Sequence, residues 1–69
     1  MFKELDLVRL RNGDESVGVS RDEVATIVDI APGPNGTRGY TLEFVDADGS
    51  TNMDALHKYY TEGELEAIN

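Results

Sequence analysis

The sequence predicts a mostly β domain, with five short antiparallel strands closed into a small barrel and one helical turn at the C-terminal end. Residues 24–30 are rich in β-branched side chains, which favour a pleated strand over a helix. Residues 40–44 alternate between apolar and polar side chains, which is typical of a half-buried strand. Clusters of Gly, Pro, Asn and Asp separate these segments, and such residues form turns.

The first strand is predicted at residues 5–10, where apolar and charged side chains are mixed. The Asn-Gly-Asp triplet at residues 12–14 is a turn signal that ends it. The polar segment 14–22 is then predicted to be a long exposed loop.

The second strand, residues 24–30, contains Ile27 and Ile30 three positions apart. Regular alternation would place these two side chains on opposite faces of the strand. Either a β-bulge re-aims one of them, or both faces are covered, the second by another subunit.

The Pro-Gly-Pro-Asn-Gly sequence at residues 32–36 predicts a hairpin turn before the third strand at 40–44. Residues 46–49 then turn the chain again, because Gly49 tolerates a positive φ. A weaker fourth strand is predicted at residues 51–55, and residues 56–60 would continue it.

One helical turn is predicted within residues 61–68. Thr61 and Glu64 have the spacing of a capping box, while the segment is too short and too glycine-containing for a longer helix. This turn would lay Leu65 and Ile68 on the barrel.

The chain has 69 residues, near the lower limit for a domain that is stable without disulfides or metal. Cysteine is absent, which excludes a disulfide framework and a thiolate metal site. A core of this size predicts marginal stability as a monomer and favours a homodimer.

Fourteen acidic and six basic residues give a net charge of −8. Nucleic-acid binders carry a stripe of Lys and Arg, and here the basic residues are scattered along the chain, so no nucleic-acid partner is expected. The acidic residues would attract a basic protein, or they serve only to keep the protein soluble. No apolar run is long enough for a signal peptide or a membrane span, so we expect a cytoplasmic protein without membrane contact.

No motif predicts a metal, a cofactor or a catalytic residue. An EF-hand loop counted from Asp46 would need Gly at position six and Glu at position twelve, where the chain has Thr51 and His57. His57 is the single imidazole, and a zinc site would need several carboxylates beside it. The serines lack a recognisable base nearby in sequence. We therefore expect a protein that is not an enzyme.

Tyr59 and Tyr60 are adjacent, so on an extended segment their side chains point to opposite sides. At least one of them should then lie outside the core. Together with Tyr40 and Met53, the pair would form an exposed aromatic platform for a peptide. The alternative is that Tyr40 and one of the two adjacent tyrosines pack the barrel with their hydroxyls in water.

The most specific sequence patterns are Thr-Ile-Val-Asp-Ile at residues 26–30 and Tyr-Thr-Leu-Glu-Phe-Val-Asp-Ala-Asp-Gly at residues 40–49. With the Leu-Asp-Leu-Val opening, they make the chain resemble a family of short bacterial domains of unknown function that look like SH3-like barrels. The resemblance extends more distantly to the KOW-type barrels of ribosomal and transcription proteins. It implies a partner-binding role of the kind found in toxin-linked gene neighbourhoods, and it transfers no catalytic residue.

The sequence thus predicts a non-enzymatic module that binds another protein, as an acidic antitoxin or immunity-like partner of a basic protein. The alternative is a structural homo-oligomer without a separate ligand. The predicted contacts are the carboxylates of the hairpin region and the tandem tyrosines: Asp46, Asp48, Asp54, Tyr59 and Tyr60.

Overall fold

Four strands form one antiparallel sheet in the computed structural model, which describes residues 1–68. The strands are β1 (Leu7–Leu10), β2 (Ala25–Pro32), β3 (Arg38–Glu43) and β4 (Leu65–Ala67). Their order across the sheet is β3-β2-β1-β4. The mostly β prediction is therefore confirmed.

The connections contain four short helical segments. One is an α-helical turn, α1 (Met53–Leu56). The other three are 3-10 turns at Glu15–Val17, Pro34–Gly36 and Glu62–Glu64. None of the helices within residues 1–68 has the length and apolar content that a membrane span requires.

The prediction of a closed five-stranded barrel is wrong, because the segment expected to supply the fourth strand is helical. The Asn52 side chain accepts a hydrogen bond from the Ala55 N–H (3.1 Å) and so caps α1. Its amide also donates to the carbonyl oxygen of Val17 (2.9 Å). Because Asn52 caps the start of a helix, the residues that follow it are helical and do not form a strand of the sheet.

A single bridge stands where the predicted barrel would close. Tyr40 on β3 and Tyr60 exchange two backbone hydrogen bonds, of 2.8 and 2.9 Å. The chain then passes through Glu62–Glu64 to β4 at the opposite edge of the sheet. One bridge in place of a ladder leaves the sheet unclosed.

Of the two alternatives predicted for the second strand, the structure contains the β-bulge. Ile27 pairs with Leu42 and Ile30 pairs with Tyr40, but the register shifts by one residue at Val28. Because of this extra residue, Ile27 is fully buried and Ile30 also packs against the core. Burial of both isoleucines therefore needs no second subunit.

The core lies between the sheet and the segments that cross one face of it. Tyr40 occupies its centre, and the ring of Phe2 meets the Tyr40 ring edge-on at a centroid distance of 5.8 Å. No polar side chain other than the tyrosines is fully buried among residues 1–68. The buried set is Val8, Leu10, Val19, Ala25, Ile27, Tyr40, Leu42, Phe44, Ala55, Tyr60 and Leu65.

Two predicted boundaries differ from the structure. The first strand begins at Leu7, because the preceding residues form a turn in which Leu5 has a φ of 72°. The segment 14–22 is not a wholly exposed loop, since Asp14 and Val19 pair as a small bridge that brings the Val19 side chain into the core. Gly13 makes this bend possible, because it has a φ of +66° and lies against the Val19 carbonyl.

The predicted C-terminal helical turn is confirmed as the 3-10 turn Glu62–Glu64. The Glu64 carboxylate accepts hydrogen bonds from the N–H (2.8 Å) and the hydroxyl (3.0 Å) of Thr61. Leu65 is buried directly after the turn, as predicted, and Ile68 is half-buried. The extended conformation that follows is set by pairing with β1.

Candidate functional site

Tyr59 presents its ring on the surface while Tyr60 is buried, so the prediction that at least one of the pair lies outside the core is confirmed. The two residues are 63% and 2% exposed, respectively. The Tyr59 ring lies against Gly39 on β3, where an added Cβ would come within 3.1–3.3 Å of three Tyr59 atoms. Since glycine has no Cβ, the Tyr59 side chain can approach the strand closely at this position.

Two adjoining grooves lie beside this ring, and we call them together the Tyr59 groove. The first, of about 460 Å³, is bounded by Tyr59, Pro32 and Pro34. The second, of about 550 Å³, extends from Pro34 towards Met1 and Glu62. The grooves share the lining residues Pro34, Thr37, Arg38 and Thr61.

One carboxylate in the Tyr59 groove is held ionised. The buried Tyr40 donates its hydroxyl hydrogen to Glu62 (2.9 Å), and this hydrogen bond keeps the pKa of Glu62 below its ordinary value. Burial, followed by the neighbouring Glu62 carboxylate, raises the pKa of Tyr40. The Glu62 carboxylate also lies 3.5 Å from the Met1 ammonium, and Arg38 lines the same groove, so this carboxylate is one of three charged groups at the site.

Tyr60 lies in the core, so the prediction that it is a surface contact is wrong. Its hydroxyl donates to the Asp14 carboxylate (2.9 Å), which also pairs with the Lys58 ammonium (2.5 Å). The ammonium lies 5.4 Å from the centre of the Tyr60 ring. The hydrogen bond from Lys58 is the largest cause of the lowered pKa of Asp14. The pKa of Tyr60 is raised, first by burial and then by the hydrogen bond to Asp14.

The same cluster brings a serine beside a lysine, which the sequence did not reveal. The Ser16 hydroxyl donates to Asp14 (2.6 Å) and accepts from the Lys58 ammonium (3.1 Å). In this arrangement the Ser16 hydroxyl hydrogen is directed at Asp14, and the Lys58 ammonium acts as a donor to both residues. The cluster therefore ties the 14–22 segment to the C-terminal third of the chain.

The predicted acidic contacts lie apart from the Tyr59 groove. Asp46 and Asp48 are exposed in the turn that the Val45–Thr51 bridge closes, and Asp54 is exposed in the first turn of α1. Asp48 accepts from the Ser50 N–H (3.0 Å) and hydroxyl (2.7 Å), which lowers its pKa. None of these carboxylates lines the grooves beside Tyr59, so the predicted joint surface of carboxylates and tyrosines is not formed there.

Three arginines converge on a second site, although the sequence suggested that the basic residues are scattered. Arg9, Arg11 and Arg21 line a groove of about 290 Å³ together with Asp22 and Glu66. Arg9 and Arg11 are two positions apart, which puts them on the same face of an extended chain. That spacing is visible in the sequence, whereas the proximity of Arg21 is not.

The outer face of the sheet carries apolar side chains. Leu7 on β1, Val24 before β2 and the bulged Val28 are all exposed. Within residues 1–68, no group of three or more His, Asp or Glu side chains is placed to hold a metal ion.

Comparisons of the chain with protein-family models, with curated proteins and with solved structures found no match.

Proposed function

We propose that this chain is a non-enzymatic protein-binding module that receives an extended, basic segment of another protein in the Tyr59 groove. The observation that carries the proposal is the exposed Tyr59 ring, which lies against Gly39 and borders a groove lined by Pro32 and Pro34. Grooves with aromatic walls bind extended and proline-rich segments, which lose little conformational entropy on docking. The groove volumes are also those of typical ligand sites.

Charge selects the partner in this proposal. The chain has a net charge of −8, and its field concentrates and orients basic segments before contact. Inside the groove, a lysine or arginine of the bound segment can replace the Met1 ammonium as the partner of the Glu62 carboxylate. An acidic antitoxin or immunity-like protein would act in this way on a basic partner. The SH3-like resemblance supports a peptide-binding role and rests on residues 26–30 and 40–49.

The test is an NMR titration of the ¹⁵N-labelled protein with three ten-residue peptides. One alternates Pro and Lys, the second alternates Pro and Glu, and the third alternates Gly and Lys. We expect saturable shifts at Gly39, Thr37 and Tyr59 with the Pro-Lys peptide, weaker ones with Gly-Lys and none with Pro-Glu. Equal shifts with the Pro-Lys and Pro-Glu peptides, or shifts confined to other surfaces, would refute the proposal.

A second candidate function is self-association through the outer face of the sheet. It is favoured by the exposed Leu7, Val24 and Val28, because adjacent apolar side chains on a sheet face are often covered by another chain. Light scattering across a tenfold dilution tests this candidate. A dimer mass that falls to the monomer mass in a Val24→Lys variant supports it, and a monomer mass at high concentration excludes it.

A further inference from the structure

Half of the basic residues of this acidic chain line one groove, which shares no lining residue with the Tyr59 groove. The groove has a volume of about 290 Å³ and lies beside β1 and β4. Its lining carries three positive charges, from Arg9, Arg11 and Arg21, and two negative charges, from Asp22 and Glu66. The formal charge of the groove is therefore +1, although the chain as a whole carries −8.

Two of the arginines are already held in place. Arg9 and Glu66 are directly paired across β1 and β4, and the Arg9 Nε donates to the Glu66 carboxylate (2.6 Å). Arg11 donates to the carbonyl oxygen of Leu65 (3.1 Å) and lies 3.6 Å from Glu66. Groups that are fixed before binding lose less conformational entropy when a ligand arrives.

Arg21 is the free cation of the groove. No hydrogen bond or ion pair within residues 1–68 engages its guanidinium, and Arg9 keeps its two terminal nitrogens available while its Nε holds Glu66. A guanidinium presents parallel N–H donors that match the two oxygens of a carboxylate.

We propose that this groove binds a single carboxylate group between Arg21 and Arg9. A monoanion neutralises the +1 charge of the groove, whereas a phosphate dianion would leave an excess negative charge beside Glu66 on a chain that is already strongly acidic. The carboxylate is that of a small free acid or that of a peptide C-terminus. This proposal uses none of the residues that carry the Tyr59 proposal, so either can fail without the other.

The experiment follows the arginine Nε–H resonances by NMR while the full chain is titrated with four probes. Acetate represents a free carboxylate, and N-acetyl-Ala-Ala represents a peptide C-terminus. The amide of the same dipeptide lacks the charge, and inorganic phosphate tests the charge argument. We expect saturable shifts of the Arg9 and Arg21 resonances with the two carboxylates, weak shifts with phosphate and none with the amide. Tighter binding of the dipeptide than of acetate identifies a C-terminus as the source, and equal binding identifies a free acid.

Matched variants separate a site from general charge attraction. Arg21→Gln should weaken acetate binding about five- to tenfold, because it removes charge-assisted hydrogen bonds. Lys3→Gln also removes one positive charge, from an exposed residue that lines neither groove, and it should leave binding unchanged. Absence of saturation in the parent protein, equal weakening by both variants, or tighter binding of phosphate than of acetate would overturn the proposal. Unchanged amide dispersion of both variants shows that they are folded.

Discussion

Replacing Asp14 with Asn should destabilise the fold, because its carboxylate joins two segments of the chain that are 44 to 46 positions apart. One oxygen accepts from Lys58 and Tyr60, and the other accepts from the N–H (3.1 Å) and hydroxyl of Ser16. An Asn side chain can keep the bonds to Ser16, but its NH₂ group would face the Lys58 ammonium, and two donors cannot pair. The variant therefore loses the charge-assisted bond and forces the Tyr60 hydroxyl to reorient.

The size of the effect follows from the exposure of the pair. A hydrogen bond to a charged group contributes about 1.5–3 kcal/mol. The Lys58 side chain is 42% exposed and that of Asp14 is 15% exposed, so solvent screens the pair and the lower part of this range applies. We expect a loss of about 1.5–2 kcal/mol in the free energy of unfolding. For a domain of this size, this corresponds to a fall in Tm of roughly 6–16 °C.

Urea unfolding at pH 7 measures this loss, with Asp29→Asn as the control. Asp29 is exposed on β2 and its side chain has no hydrogen-bond partner within residues 1–68, so its replacement should change stability by less than about 0.5 kcal/mol. The pKa of Asp14 in the folded state is depressed, so its contribution is complete above the unfolded value of about 3.9 and is lost as the pH falls further. The difference between the parent protein and Asp14→Asn should therefore shrink between pH 4 and pH 2.5. A variant as stable as the control, or a difference that persists at low pH, would refute the reasoning.

Two further substitutions test local features of the fold. Gly13→Ala should lower the free energy of unfolding in urea by more than about 1 kcal/mol, because the residue has a positive φ and its new Cβ would lie 2.7 Å from the Val19 carbonyl oxygen. Gly63→Ala is the control, and it should be neutral or slightly stabilising because Gly63 has an ordinary φ and open space around it. A Gly13→Ala variant as stable as Gly63→Ala would contradict this. Tyr40→Phe should raise the pKa of Glu62 in an NMR titration, because it removes the largest cause of the lowered value, and should cost about 1 kcal/mol in stability. An unchanged Glu62 titration would show that the hydrogen bond does not form.

Local sequence patterns were sufficient where neighbours along the chain decide the structure. The alternation at residues 40–44 predicted β3, and the three-residue spacing of Ile27 and Ile30 made a β-bulge one of two alternatives, while the register shift that decides between them is seen only in the structure. The Thr61 and Glu64 spacing located the C-terminal turn. In each case the contacts that fix the geometry are made within the segment or with the adjacent strand.

The wrong predictions depend on contacts between distant segments. Residues 51–55 carry a weak strand pattern, but Asn52 caps α1 and bonds Val17, which lies 35 positions earlier. The buried Tyr60 donates its hydroxyl hydrogen to Asp14, which lies 46 positions earlier in the chain. The approach of Arg21 to Arg9 likewise needs the folded chain. Periodicity carries no information on such pairs.

The affinity of Tyr59 variants for the ten-residue Pro-Lys peptide tests the proposed function most directly. Tyr59→Ala should weaken binding about tenfold or more, because it removes the one exposed aromatic wall of the groove. Met53→Ala also removes an exposed apolar side chain, but from α1 and outside the groove, and it should bind like the parent protein. Equal affinities of the parent protein and Tyr59→Ala would contradict the proposal that the Tyr59 groove is the binding site.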